Sequence, residues 1–221
     1  MHGPLSNRAS VVGPSQFAWW PNWSGQGCAV IASGQSVKKK DIEQLRGHRV
    51  IAIKENVDLA PWADVVYGCD LFWWLHKRGL ADYKGLRVAY DSAVKGHFPS
   101  VELVGITDKQ CDRLLVDQPM AIGSGGNSGF QALNLAVQFG ASRVLLLGFD
   151  MRGEHWYGRN NWDRANNPSS NNFKRWIKAL DGVYDQLQML GVEVRNCSAV
   201  SVLTKYKKTN MEDGVAWLAN G

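Results

Sequence analysis

The run Arg143-Val-Leu-Leu-Leu147 is apolar at every interior position. A strand with one wet face alternates apolar and polar residues. An unbroken run therefore predicts a strand covered on both faces, the central position of a parallel sheet. Just before it, Ser128 to Phe139 reads as a helix: Phe130, Leu133, Leu135, Ala136 and Phe139 keep helical spacing, and Gly140 closes the segment. The same grammar opens the chain. Cys28-Ala-Val-Ile-Ala32 is a buried-strand run, Ser33-Gly-Gln-Ser36 a turn, Val37 to Arg46 a helix closed by Gly47, and Arg49-Val-Ile-Ala-Ile53 the next strand. Shorter strands are predicted at 64–67, 86–90, 101–104 and 192–195, helical turns at 72–78, and one amphipathic helix over 173–190. Strands that alternate with helices predict an α/β fold, a single Rossmann-like domain with a mainly parallel sheet flanked by helices. That domain is expected over 26–221. Residues 1–25, interrupted by Gly3, Pro4, Gly13, Pro14 and Pro21, read as an irregular lead-in.

Composition narrows the class. In 221 residues, 45% are hydrophobic and 20% charged, the balance of a folded chain rather than a disordered one. No run nears the roughly 18 apolar residues that span a bilayer, and the N-terminus lacks the charged-then-apolar order of a secretory signal. A soluble, cytoplasmic protein without a membrane partner is expected. The cysteines at 28, 69, 111 and 197 show no CxxC spacing, and no two histidines stand at i, i+4, so no metal site is expected. The formal net charge of +5 suits an anionic ligand such as a nucleotide, a phosphate or a nucleic acid, and many soluble proteins carry as much without one.

In an open α/β sheet, ligands bind beyond the carboxyl ends of the strands. Four places qualify: 33–36, 54–56, 68–70 and 148–150. The glycine-rich Gly123-Ser-Gly-Gly126 should join them, because a helix N-terminus attracts phosphate and Asn127 or Ser128 can cap the helix or donate to an anion. Each has a plainer reading: a tight turn at 33–36, a flexible loop at 123–126, a turn-capping carboxylate at Asp70 or Asp150. Their common placement at strand ends argues for a site. The polar segment from Met151 to Asn172 holds six asparagines and is too long for an ordinary connection. Within it His155 is a candidate general base, with Glu154 its rival. From Met151 to Trp176 there are five Arg/Lys and two Asp/Glu. Basic groups interleaved with Trp156, Tyr157 and Trp162 suit a phosphorylated donor, a sugar or an unstacked base. The alternative is a solvated loop pinned by tryptophans.

Val30-Ile-Ala-Ser-Gly-Gln-Ser36 resembles the VxGxGPS-type loop of the DUF115 and family-42 sialyltransferase-like group. Asn127-Ser-Gly129, a helix, and Leu145-Leu-Leu-Gly-Phe-Asp150 resemble its second signature, (T/N)SG, helix, strand, G(I/F/Y)D. Ala60-Pro-Trp-Ala-Asp64, Cys69-Asp70, Trp73-Trp74 and His155-Trp-Tyr-Gly158 look like members carried by phages and prophages. The likeness spans 27–205. It implies a transferase without a DxD metal motif that binds a nucleotide-sugar at the strand ends and inverts the anomeric carbon with a histidine base. No cofactor is implied beyond that donor. Carried over, Ser33, Gly34, Gln35, Ser36, Asn56, Asp70, Asn127, Ser128, Gly129 and Gly148 bind the donor. Gln35 stands where the group has proline, and the group's asparagine after the second strand falls on Lys54 or Asn56. His155 and Asp150 are the catalytic candidates, and Trp156, Tyr157, Arg159 and Trp162 the acceptor side. A phage setting and a basic surface point to a hydroxymethylated base in DNA as acceptor. Two other functions compete. A Mg²⁺- and ATP-dependent diphosphokinase, like a relative in the group, needs Asp70 and Asp150 to converge. A non-catalytic nucleotide- or nucleic-acid-binding module leaves His155 in packing or remote from the strand ends.

Overall fold

A computed structural model describes residues 18–106 and 108–220. Of the expected lead-in, residues 1–17 lie outside the described residues. Eight strands are seen among those described: β1 (Gly27–Ile31), β2 (Arg49–Ile53), β3 (Val65–Tyr67), β4 (Leu86–Ala89), β5 (Glu102–Leu103), β6 (Arg143–Leu147), β7 (Glu193–Asn196) and β8 (Lys207–Lys208). They form one sheet in the order β5-β4-β3-β2-β1-β6-β7-β8, and every pairing is parallel. The fold is therefore α/β and Rossmann-like, with helices on both faces.

The apolar runs explain the layering. Along β1, Cys28 and Val30 turn to one face, while Ala29 and Ile31 turn to the other. The first face packs against α4 (Ser128–Gln138), α5 (Ser170–Gly182) and α6 (Tyr184–Met189) through residues such as Phe130, Leu133, Leu180 and Leu187. The second packs against α1 (Lys39–Glu43) through Ile42 and against α7 (Met211–Ala219) through Leu218. Beyond β3, α2 (Leu71–His76) buries Trp73 and Trp74 in a satellite cluster that also takes Val94 of α3 (Ser92–His97). Parallel strands need crossovers, and helices on both faces supply them.

The helix predicted over Val37 to Arg46 is shorter, α1 alone, and α3 was not predicted. Three further features differ from the sequence expectation. The helix predicted over 173–190 is two, α5 and α6, separated at Val183, whose φ of −92° and ψ of 2° leave the helical region. Gly182 and the β-branched Val183 are poor helix formers, and Val183 is buried in the core. The tail from Met211 forms α7, capped by Asn210, which accepts from Asp213 N at 2.8 Å. Third, β8 adds an edge strand of two exposed lysines, a composition that blunts a sheet edge.

Trp20 and Trp23 set their rings edge-on to Phe139 at 4.9 and 4.8 Å, so residues just before β1 dock on the end of α4. The segment before α4 is likewise fixed. Asn134 Oδ1 accepts from Leu115 N and Gly123 N, both at 2.9 Å, and Gln131 donates to Ser124 O at 3.0 Å. The polar side of α4 is thus covered by 114–124, and the glycine-rich turn is pinned to the helix it precedes.

Candidate active site

The strand order reverses between β1 and β6, the switch point of a doubly wound sheet, and the loops that follow these two strands part there. They are stitched together. Ala32 N donates to Leu147 O at 2.8 Å and Gly34 N to Gly148 O at 2.9 Å. Glycine is required at both loops. A Cβ on Gly34 would lie 2.5 Å from the Asp150 carboxyl carbon, and one on Gly148, whose φ is +69°, would lie 2.3 Å from Ala32 O.

Asp150, only 1% exposed, fastens this frame. Its carboxylate accepts from Ser36 N at 2.8 Å, Ser36 Oγ at 2.5 Å and Ser198 Oγ at 2.5 Å. The 151–160 segment then folds back over the β1 loop. Trp156 N donates to Ser33 O at 2.9 Å, and His155 bridges Gly34. This puts His155 Nδ1 2.8 Å from Ser33 Oγ. Its Nε2 is buried without a partner, and the Tyr157 ring stacks on it at 5.0 Å with a 14° tilt. Burial pushes the His155 imidazolium below the ordinary histidine range, and the Lys54 ammonium adds to the effect. At neutral pH the ring is the neutral form that a general base needs.

Beside it opens a cavity of about 320 Å³. Ser33, Gly34, Gly148 and His155 form one wall, and Asn127, Ser128 and Gly129 at the start of α4 form another. Lys54, Cys69 and Asp70, at the ends of β2 and β3, lie between them. The rim comes from the long polar segment and α5: Tyr157, Asn160, Asn167, Asn172, Phe173 and Trp176. Asn160 braces that rim. It accepts from Tyr157 Oη at 2.8 Å and donates to Asn166 O at 2.7 Å, while its backbone N–H donates to Asn167 Oδ1 at 2.8 Å. Burial, with Glu55 nearby, raises the Tyr157 phenol above its ordinary range, so it stays a neutral donor.

The structure thus brings Ser33, Gly34, Asp70, Asn127, Ser128, Gly129, Gly148, His155 and Tyr157 to one cavity. Other expected residues sit elsewhere. Asp150 lies behind the wall, in the frame. Ser36 holds Asp150 and lines a second cavity of about 470 Å³ with Lys38, Leu147 and Asn210. Asn56 is fully buried; it donates to Ile31 O at 3.1 Å and Ile53 O at 2.7 Å and accepts from Trp156 Nε1 at 3.0 Å. Trp156 is therefore turned inward. Trp162 is buried with Trp73 and Trp74, and Gln35 and Arg159 are exposed away from the cavity wall. Asp70 pairs with Lys54 and Asp150 with serines, and among the described residues no three His, Cys, Asp or Glu side chains gather as a metal site.

Lys54 was expected only as the alternative to Asn56, and Trp176 was not named as a site residue. Lys54 directly follows β2 in a left-handed conformation, φ +51°, unusual for a side chain with a Cβ and a form of strain that concentrates at functional sites. Its ammonium pairs with Asp70 and sits 5.7 Å from the Trp162 ring centroid. Burial opposes its charge, but Cys69 and Asp70 outweigh that and hold the ammonium above the ordinary lysine range. Burial likewise opposes the Asp70 carboxylate, and Lys54 holds it below its usual range. Lys54 was legible as a strand-end residue, and Trp176 as the third tryptophan, after Trp156 and Trp162, of an asparagine-rich stretch.

No protein-family model matches the chain, and no curated protein matches it. Solved structures do. The sialyltransferase CST-II, in complex with a trisaccharide acceptor and CMP, is similar with a TM-score of 0.53 and 12% identity, over 84% of this chain and 87% of that one. CstII from Campylobacter jejuni with cytidine-5'-monophosphate gives a TM-score of 0.52 and 12% identity, over 84% and 85%. The chain therefore has the fold of these sialyltransferases.

Proposed function

We propose that residues 26–221 form a glycosyltransferase unit that takes a nucleotide-activated sugar and inverts its anomeric carbon without a metal ion. The observation that carries this reading is His155. It is tethered by Ser33 at the switch point, depressed toward its neutral form, and placed on the same cavity as the start of α4. An anion is favoured at that helix start, where Asn127 accepts from Phe130 N at 2.9 Å and Ser128 faces the cavity. The donor lies across the 33–34 and 127–129 loops. His155 Nε2 takes the proton of the acceptor hydroxyl as that oxygen bonds to the anomeric carbon. Because Nε2 is covered here, the 151–160 segment and Tyr157 move aside to admit the acceptor. The fold likeness to sialyltransferases solved with CMP supports a nucleotide donor.

For the acceptor we favour a hydroxymethylated base in DNA, in keeping with the phage-type DUF115 and family-42 resemblance, an intracellular setting and the cationic 152–175 stretch. His155→Ala should leave donor binding nearly intact and lower turnover by about two to four orders of magnitude, since a base acts on the acceptor proton only in the transition state. Normal turnover by His155→Ala together with loss in Glu154→Ala would make the carboxylate the base. Unchanged turnover in both would leave a binding loop and no catalytic role for this segment.

A further inference from the structure

We propose that Lys54 receives the donor's phosphate, exchanging its partner Asp70 for the phosphate oxygens. The assignment rests on the transferase reading above and extends it by naming the group that holds the leaving charge. Besides the neutral His155, four charged side chains line the cavity: Lys54, Asp70, Arg152 and Glu154. Arg152 and Glu154 are exposed, whereas the Lys54 side chain keeps only 19% of its surface exposed. It is the cation set into the cleft.

Lys54 also shares the cavity with the helix start that favours an anion. Its partner Asp70 follows Cys69, and Cys69 Sγ accepts from Ser128 Oγ at 3.0 Å, which joins the end of β3 to the first turn of α4 and, through the Asp70 pair, Lys54 as well. The Trp162 ring and the Asp70 carboxylate hold the ammonium in place before any donor arrives, so little ordering remains to be done on binding. The Asp70 side chain is 49% exposed. It can turn to water when phosphate takes its place, and solvent replaces much of what it loses.

In the transfer step, the bond from the anomeric carbon to the phosphate oxygen breaks and its electron pair leaves with the phosphate. The acceptor oxygen bonds to the anomeric carbon, and its proton passes to His155. Lys54 keeps its own protons and stabilises the charge that grows on the phosphate. Its neighbours hold it in the charged form, as that role requires.

The test compares nucleoside monophosphates (CMP, UMP, AMP and GMP) with the matching nucleosides by calorimetric titration of the full chain. Wild type should bind one monophosphate on the order of tenfold to a hundredfold more tightly than its nucleoside. Lys54→Met, and the double variant Lys54→Met/Asp70→Asn that leaves no unpaired charge, should lose most of that preference, keeping only what the helix start supplies. Asp70→Asn should keep or sharpen it. A folded double variant that still prefers the monophosphate as strongly as wild type overturns the role of Lys54. A wild type that binds none of the four overturns the transferase reading itself, and this assignment with it.

Discussion

The three hydrogen bonds on the Asp150 carboxylate come from Ser36 and Ser198, which flank the β1 loop and follow β7. A hydrogen bond to a charged group contributes about 1.5–3 kcal/mol, and a buried donor left alone costs a similar amount. Asp150→Ala should therefore destabilise the fold by about 3 kcal/mol or more in urea unfolding, with Asp150→Asn milder because its amide oxygen still accepts. Unchanged stability with abolished turnover would instead place Asp150 in the chemistry. His155 makes a prediction in pH. Its folded pKa is depressed by burial, so the base stays deprotonated down past the ordinary histidine value of about 6.5 and the acid limb of kcat/KM, which reports the free enzyme, should lie below it. The same shift works on stability. The unfolded chain takes up this proton before the folded one does, so stability present above about pH 6.5 falls as pH drops through the folded pKa. His155→Gln should flatten that part of a stability–pH profile.

Among the elements, the central strands were legible because parallel strands buried on both faces need uninterrupted apolar runs, as in β1, β2 and β6. The edge carried no such signal: Lys207-Lys208 pairs through its backbone, and nothing in two lysines announces a strand. The site divides the same way. Ser33, Asn127, Ser128 and His155 could be read from strand ends, a helix start and a titratable group in a long loop. Lys54 could not be separated from Asn56, because which of two neighbours faces the cavity depends on a left-handed residue and a tight turn. Trp156 and Trp162 were attractive as ring-binding side chains, but tertiary packing turned them inward. Two element-scale outcomes follow. Gly148→Ala should destabilise by at least about 1–2 kcal/mol for the left-handed backbone alone, and further for the clash with Ala32 O, read from a thermal melt. Asn160→Ala releases Tyr157 and Asn166, so limited proteolysis within 151–168 should accelerate while the global melting temperature moves little.

At the scale of the whole molecule, one parallel sheet reverses its strand order at β1 and β6, and the cavity, the tethered histidine and the start of α4 meet at its carboxyl edge. No helix among the described residues is long and apolar enough to cross a membrane. The net charge of +5 accords with a phosphorylated ligand. With cationic side chains available to neutralise phosphate, donor binding should not depend on a divalent ion. The most direct measurement is a thermal-shift screen of nucleotide-sugars and their parent nucleotides, each with EDTA and with Mg²⁺. A ligand that binds the folded state raises the melting temperature by mass action. The expected result is that one nucleotide-sugar series raises the melting temperature equally in EDTA and in Mg²⁺. A shift seen only with Mg²⁺ and a nucleoside triphosphate, or no shift with any nucleotide, would contradict a metal-independent glycosyltransferase.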